Sequence, residues 1–492
     1  MPFNEIEALI EQKFALKPTD DQSKAIQEFT SYLFSRDDSS VFLLTGYAGT
    51  GKTTLVGAIV KTLRQLQQRV VLLAPTGRAA KVFSLHAEEP AYTVHRRIYR
   101  ETAGVRFENS EDGQHQVASN ASTFSLNPSQ LNKQTLFIVD EASMIANEGL
   151  SGSMFGTGRL LDDLIQYVYG GQGCRLMIVG DAAQLPPVGE ELSPALNEHA
   201  LAGYGLNVMH CHLRQVVRQL NESGILWNAT HLRTLIAEDQ LFTFPTLSVH
   251  PFADIEVVMG NELIEQLENS YYHAGQDETI VITRSNKRAN IFNLGIRGRI
   301  LGMEEELGSG DQVIVAKNNY FWLKEEKENK GQPFIANGDM AVVRRLRNER
   351  ELYGFRFADA TLRFPDYDNQ EVDCTVLLDT LQAEAPALTK AQQDQLFNAV
   401  WEDYPDITNR RDRMKRLRED IYYNALQIKY AYAVTCHKAQ GGQWAHVYID
   451  QGYITEDMLT PDYFRWLYTA LTRATEKVFL INWPKEQTDD AE

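Results

Sequence analysis

Cysteine is scarce. The four in 492 residues, Cys174, Cys211, Cys374 and Cys436, lie far apart with no C-x-x-C pair, which argues against a disulfide framework or a structural zinc and leaves them as buried thiols. Long hydrophobic runs are also missing: no stretch approaches the roughly 18 consecutive apolar residues of a membrane span. The opening MPFNEIEALIEQKF has early acidic residues and no apolar run with a cleavage site, unlike a secretory signal. The expectation is a soluble cytoplasmic chain with no membrane partner. Positive charge is in deficit, 48 Lys and Arg against 66 Asp and Glu, a net −18. That sum suits nucleic acid poorly, yet phosphate contacts depend on local charge. Arg78, Lys81, Arg96, Arg97, Arg100 and Arg106 form one basic run, and Arg284, Lys287, Arg288, Arg297 and Arg299 another. On charge alone either reads equally as a solvated face.

What is present is apolar material for several cores: 43% hydrophobic residues, 10% aromatic. A chain this long is expected to split into two to four domains. VFLLT at Val41, RVVLLAP at Arg69, TLFIVD at Thr135 and RLMIVGD at Arg175 are continuous β-rich runs ending at Gly, Asp or Pro. Parallel strands buried on both faces look like this, and the helical stretches between them make the pattern doubly wound α/β. A second set follows: TIVITR at Thr279, IKYAYAVT at Ile428, HVYID at His446 and KVFLIN at Lys477. The gap after its first member implies an insert, about Met303 to Asn424. Turn signals at Gly310-Asp311 and Asn337-Gly338 between short alternating segments read as a small β-barrel, with a charged helical extension from about Thr389. A smaller polar insert lies between Arg96 and Gln134, where composition favours a disordered loop over a hairpin.

GYAGTGKTT at Gly46 stands between a strand and a helical stretch, the context in which G-x-x-x-x-G-K-[ST] means a phosphate cradle. Gly46, Ala48, Gly49, Thr50, Gly51 and Thr54 belong to the loop whose amides wrap phosphates at a helix N-terminus. Lys52 is to reach the β- and γ-phosphates of ATP, and Thr53 to offer a hydroxyl to Mg²⁺. VDEAS ends a strand beside that loop; there Asp140 would hold Mg²⁺ through its hydration shell, while Glu141 would orient and deprotonate the attacking water. The strand RLMIVGD runs into DAAQLPPV, which brings Asp181 and Gln184 to the same sheet edge, and such an amide can sense the γ-phosphate. No clustered carboxylates outside the ATP site have the spacing of a nuclease centre.

In order along the chain, GYAGTGKTT, APTGRAA at Ala74, TVHRRIY at Thr93, VDEAS, VGDAAQLPPV, VVRQ at Val216, YAVTCHKAQGGQW at Tyr432 and YTALTRA at Tyr468 resemble the superfamily 1B helicases, in particular the Dda-like and RecD-like DNA helicases. The resemblance implies an α/β fold with two RecA-like parallel-sheet motor domains, a small β-hairpin insert and an SH3-like β-barrel accessory insert. The corresponding boundaries are 1–95 and 131–200 for the first motor domain, 96–130 for the hairpin, 201–302 and 425–485 for the second motor domain, 303–424 for the barrel with its extension, and 486–492 for a tail. In the hairpin, Tyr99, Phe107 and Phe124 are candidates for an aromatic wedge that splits duplex. The resemblance also implies that Gln22 reads adenine, that Gln184 senses the γ-phosphate, and that Arg218 and Arg473 reach the nucleotide from the second domain. Thr76, Arg78 and His95, with Thr435, His437, Lys438 and Gln440, match positions that track the strand backbone or couple it to ATP.

The activity so implied is ATP-dependent translocation on single-stranded DNA, 5′ to 3′, with unwinding of duplex. Single strands and single-strand/duplex junctions would be the partners of a monomer, and membership of a recombination or replication complex stays open. Two rivals remain: a single-strand translocase that displaces proteins or acts on RNA, and a non-motor ATP switch or loader. APTGRAA and VTCHKAQG, which lie beyond the phosphate site, speak against the switch.

Overall fold

The computed structural model of the chain describes residues 3–14, 17–102, 123–128, 133–148, 155–216, 222–323 and 335–489. The chain divides into two compact units, Met1–Asn221 and Glu222–Glu492. Strands of the first are β1 (Ser40–Gly46), β2 (Arg69–Ala74), β3 (Ala91–Thr93), β4 (Tyr99–Thr102), β5 (Thr123–Leu126), β6 (Thr135–Val139), β7 (Arg175–Gly180) and β8 (Asn207–Leu213). Six of them form one sheet in the order β3-β2-β6-β7-β1-β8, every neighbouring pair parallel. Strand β1 is buried at every position. A central parallel strand has no wet face, which is why Val41 to Leu44 at its centre are all apolar.

Helices Asp20–Phe34, Lys52–Gln65 and Gly77–Ala87 supply covering side chains. Ile26, Phe29, Leu55, Val56, Ile59 and Phe83 pack with Phe42, Leu44, Leu72, Ile138 and Met177 of the sheet. Phe29 stands edge-on to Phe42, centroids 5.4 Å apart, an arrangement the ring quadrupole favours. Removal from water stabilises the fold by roughly 1.5–3 kcal/mol for each such side chain.

Residues 201–216, expected in the second motor domain, lie in the first unit. Strand β8 pairs with β1 along its length, Ser40 opposite Asn207 and Gly46 opposite Leu213. NVMHCHL is an edge strand, mostly half-buried, so it lacks the apolar run that marks the others. The 96–130 insert begins and ends in an antiparallel pair, β4 with β5, Tyr99 opposite Leu126; Phe107 lies outside the described residues. Tyr99 and Phe124 do not form a wedge. Both are buried and pack on Phe155 at centroid distances of 4.9 and 5.0 Å, and the Tyr99 hydroxyl donates to Asp163 Oδ2 at 2.6 Å. A phenol needs that partner once buried, and these rings are the core of the insert's base.

In the second unit the strands are β9 (Ile255–Val258), β10 (Thr279–Thr283), β11 (Gln312–Val315), β12 (Met340–Leu352), β13 (Phe355–Phe364), β14 (Gln370–Leu377), β15 (Leu426–Tyr430), β16 (Ala433–Thr435), β17 (Trp444–Asp450) and β18 (Ala474–Ile481). A parallel sheet runs β16-β10-β17-β18-β9, and β11 to β15 close a barrel. IKYAYAVT, expected as one strand of the motor sheet, is two. β15 closes the barrel against β11 and β14, and two residues later β16 joins β10, so the insert ends at about 430 instead of 424. Nothing local separates the halves, because both are apolar and extended.

The barrel's entry is fastened by a buried ion pair. Arg297 Nε donates to Asp311 Oδ1 at 2.7 Å, and Asp311 also accepts from the Gly308 amide at 2.8 Å and the Tyr432 hydroxyl at 3.0 Å. Such a pair stays charged in an interior only when its lone pairs are satisfied this fully. The charged extension forms helices Lys390–Glu402 and Arg410–Arg418. Leu396, Val400 and Leu417 pack with Phe355, Phe357 and Leu377 of the barrel, and Thr389 with Gln392 makes a capping box at the first helix. All four cysteines are free and buried. Among the described residues no helix is long and apolar enough to cross a membrane.

Candidate nucleotide site and nucleic-acid interface

Strand β1 ends at Gly46 and the next helix begins at Lys52, so the loop must reverse within a few residues. Gly49 and Gly51 have φ of 75° and 78°, a left-handed backbone that glycine adopts without the Cβ penalty. Gly46 is needed for space: a Cβ there would lie 2.9 Å from Thr50 Oγ1 and 3.1 Å from the Leu213 carbonyl oxygen. The Thr50 hydroxyl donates to the Tyr47 carbonyl at 2.8 Å and stiffens the turn. Lys52 donates from Nζ to the carbonyls of Gly46 and Tyr47 at 2.7 and 2.9 Å, and Asp181 Oδ2 lies 3.9 Å away. The ammonium is therefore held over the loop, where the helix dipole also favours an anion.

Strands β6, β7, β1 and β8 are adjacent and parallel, so their carboxyl ends share an edge. Asp140 follows β6 and is almost fully buried. Burial first, then the Glu141 charge, push its carboxyl up to about 7, against the opposing pull of the Glu141 amide and Lys52. Asp140 Oδ1 accepts from the Glu141 amide at 2.8 Å, and Glu141 itself sits at φ 51°, a backbone a non-glycine residue adopts only when its surroundings impose it. A carboxylate so disfavoured is one that a neighbouring cation would restore. At the end of β7, Asp181 is buried and accepts from the Ala183 amide at 3.0 Å. Gln184 is buried too, and its Oε1 has no hydrogen-bond partner among the described residues. Leaving an amide oxygen unpaired costs roughly 1–3 kcal/mol. With half-buried Thr53, these groups fit a nucleotide triphosphate and a divalent ion: an anion cradle, a cation seat and an amide in reserve.

Gln22 differs from its expected role as an adenine reader. It is fully buried, its Oε1 accepts from the Thr19 amide at 2.9 Å and its Nε2 donates to the Thr50 carbonyl at 2.9 Å. In this conformation the amide closes a capping box and braces the phosphate loop from behind, with no surface for a base. Gln22→Ala removes both contacts, at a cost of about 2 kcal/mol. The expected result is a fall of roughly 4–8 °C in the melting temperature of the first unit; a melt superimposable on the parent's would dismiss the brace.

Beside this loop lies a hydroxyl-imidazole group that no motif marks. Thr45 Oγ1 lies 2.6 Å from His210 Nε2 and 2.7 Å from His212 Nδ1. A hydroxyl has one proton, so at least one imidazole must donate to it. His210 also meets Glu198 through Nδ1, and His212 packs edge-on to Tyr47, centroids 4.9 Å apart. Burial, followed by the Arg214 and His210 charges, lowers the His212 pKa, so this ring is neutral at pH 7. The only signal was the alternation in MHCHL, which puts two histidines on one face of a strand.

A family model described as an AAA domain matches residues 17–238, and one described as a UvrD-like helicase C-terminal domain matches residues 430–481. The first covers the whole of the first sheet with its motifs, and the second covers β16, β17 and β18 with the motifs at Tyr432 and Tyr468, leaving β9 and β10 outside it. Together with the ordered motifs, both matches support a helicase of superfamily 1B, of the Dda-like and RecD-like kind. The superfamily 1B fold expected from the motifs, two parallel sheets and a closed barrel, is the fold observed. An uncharacterized protein of Methanocaldococcus jannaschii is 24% identical over 497 residues, 94% of this chain and 38% of that protein. The ATP-dependent RecD2 DNA helicase of Deinococcus radiodurans is 25% identical over 462 residues, 92% of this chain and 48% of its own length. The chain thus spans less than half of either relative. A crystal structure of the Pif1 helicase from Bacteroides, in complex with ADP-AlF3 and ssDNA, aligns over 95% of this chain and 93% of that one, with 16% identity and a TM-score of 0.46.

The remaining superfamily 1B positions fall as follows. Thr76 caps helix Gly77–Ala87 by accepting from the Ala79 amide at 3.2 Å, which leaves its hydroxyl proton for a phosphate; Arg78 is half-buried two residues on. His95 packs edge-on to Phe155 at 4.8 Å, and burial lowers its pKa to about 4. Any contact it makes with a strand at pH 7 is that of a neutral ring. Thr435 ends β16 and precedes the short helix Cys436–Ala439; His437 is exposed, Lys438 half-buried and Gln440 buried. Burial, then the nearby Lys429 charge, lowers the Lys438 pKa to about 8. Lys429 was not anticipated: it is buried in β15, with its ammonium on the Ala383 carbonyl. Arg473, expected to reach the nucleotide, is buried within its own unit, donating from Nε to the Thr469 carbonyl at 3.2 Å and from Nη1 to the Gly442 carbonyl at 3.2 Å. Arg218 lies outside the described residues.

Proposed function

We propose that the chain hydrolyses ATP to move along single-stranded DNA in the 5′ to 3′ direction and separates duplex ahead of it. The observation that supports this most directly is the sheet edge where Lys52 and Asp181 stand 3.9 Å apart beside a carboxyl that burial pushes up to about 7 and an unpaired buried amide oxygen. In the proposed reaction Lys52 draws charge from the β- and γ-phosphates. Glu141 takes a proton from the attacking water as its oxygen bonds to the γ-phosphorus and the bond to the β-γ bridging oxygen breaks. Gln184 orients that water by accepting from it at the amide oxygen left unpaired, and senses the γ-phosphate by donating from Nε2. Asp140 and Thr53 would hold Mg²⁺, which when bound neutralises phosphate oxygens.

Arg218 and Arg473 are proposed to reach the nucleotide only when the two motor domains close, which makes hydrolysis depend on conformation. For Arg473 that requires releasing the Gly442 and Thr469 carbonyls it now holds. Thr76, Arg78, His95, Thr435, His437, Lys438 and Gln440 are proposed to follow the sugar-phosphate backbone, contacts that ignore sequence. The named activity of the Deinococcus relative, an ATP-dependent DNA helicase, supports the same reading.

The deciding measurement is ATP-dependent unwinding of 5′-tailed against 3′-tailed DNA duplexes, with a 5′-tailed RNA duplex alongside. Unwinding of the 5′-tailed DNA alone is expected. Preference for the 3′ tail would reverse the polarity, and strand-stimulated hydrolysis without unwinding would leave a translocase. Hydrolysis indifferent to single strands would leave a switch.

A further inference from the structure

Helix Arg410–Arg418, RRDRMKRLR, carries cations at Arg410, Arg411, Arg413, Lys415, Arg416 and Arg418 on a chain of formal charge −18. Its inner face is taken. Met414 and Leu417 pack into the cluster of Phe355, Phe357, Leu396 and Val400. Arg413 donates from Nε to the Trp401 carbonyl at 3.0 Å and covers the Trp401 ring at 4.4 Å. Arg416 stands over the Tyr404 ring, 5.7 Å from its centroid, with Glu419 at 4.0 Å. The outer face is different: Arg410, Arg411 and Lys415 are exposed, and among the described residues none of the three pairs with a carboxylate.

Arg411 and Lys415 are one turn apart, where like charges repel. The isolated segment would resist folding on that account; packing by Leu417 and the Trp401 clamp holds it regardless. We infer that this helix is a ridge that binds the phosphate backbone of duplex DNA, an inference resting on the DNA reading above. Nine residues make about 13 Å of helix, which faces on the order of eight phosphate charges of a duplex. Single strands are bound through aromatic platforms on which bases stack, and here both nearby rings, Trp401 and Tyr404, are already covered by arginines of the same helix. Three exposed cations on a packed helix whose one acidic residue is Asp412, with both rings that the helix touches already covered, suit a duplex exterior.

The test titrates a short blunt-ended DNA duplex and, separately, single-stranded oligothymidylate into the full chain at several salt concentrations. Arg410→Gln/Arg411→Gln/Lys415→Gln is expected to weaken duplex binding and to make the slope of log K against log salt shallower by roughly 2–3, about 0.9 for each lost phosphate contact. Its single-strand-stimulated ATPase should stay within about twofold of the parent. Arg410→Lys/Arg411→Lys should keep the parent's slope, which a structural loss would not predict. Unchanged duplex affinity and slope in the triple variant overturn the inference, as does equal weakening for duplex and single strand or a parent chain that does not bind duplex. Absence of strand-stimulated ATPase in the parent would defeat the motor reading instead, and the duplex titration would still decide the ridge.

Discussion

Lys52→Ala should bind single-stranded DNA within about a factor of two of the parent while its strand-stimulated ATP hydrolysis falls by roughly 10²–10³-fold, as expected when a charge aimed at the transferring group is lost. The two readouts separate because Lys52 donates only to its own loop and lies beside Asp181, so removing it disturbs no strand-contact residue. The loop should survive, since Gly49, Gly51, the Thr50 hydroxyl and the Gln22 brace shape it independently of the lysine. Hydrolysis at the parent rate would show that the phosphates sit elsewhere. Loss of DNA binding together with hydrolysis would mean that the substitution unfolds the unit.

Glu141→Gln should reduce turnover by roughly 10²–10⁴-fold, the usual contribution of a positioned general base, with ATP affinity kept near the parent's. The substitution is nearly isosteric, and the Glu141 amide that donates to Asp140 is backbone, so the neighbouring carboxyl keeps that hydrogen bond. Removing the Glu141 charge also takes away one of the two causes that push the Asp140 carboxyl up, which favours its charged form and a cation beside it. Single-turnover hydrolysis and nucleotide binding distinguish the outcomes. A variant that loses binding and turnover equally would place Glu141 among the groups that hold the nucleotide.

Several superfamily 1B features were legible because they are local. The phosphate loop shows in Gly46 to Thr53, where glycine spacing, lysine and hydroxyl must all fall within one turn between a strand and a helix. Strands β1, β2, β6 and β7 show because burial on both faces leaves four or five consecutive apolar residues at the centre of each. The barrel shows in its turn residues, and the charged extension in composition. Strand β8 was hidden by its edge position, and the division between β15 and β16 by the sameness of the residues on either side. Tyr99 and Phe124 looked like a wedge because aromatic rings in a polar insert carry no mark of being buried against Phe155.

What the sequence by itself determined is local: a glycine-lysine-threonine loop between strand and helix, two carboxylates and an amide at strand ends, and the ordered motifs that resemble those of superfamily 1B helicases. Those depend on residues near one another in the chain or on the periodicity of a single element. Only the tertiary structure decided that Asp181, from β7, is the carboxylate beside Lys52, that the Gln22 amide supports the loop from behind, that His210 and His212 share the Thr45 hydroxyl, and that Arg473 holds the Gly442 carbonyl. Each of these joins groups tens of residues or more apart in the chain, and hydrogen bonds act only over about 3 Å. No residue's identity states which distant atom will come that close; the packing of sheets and helices settles it.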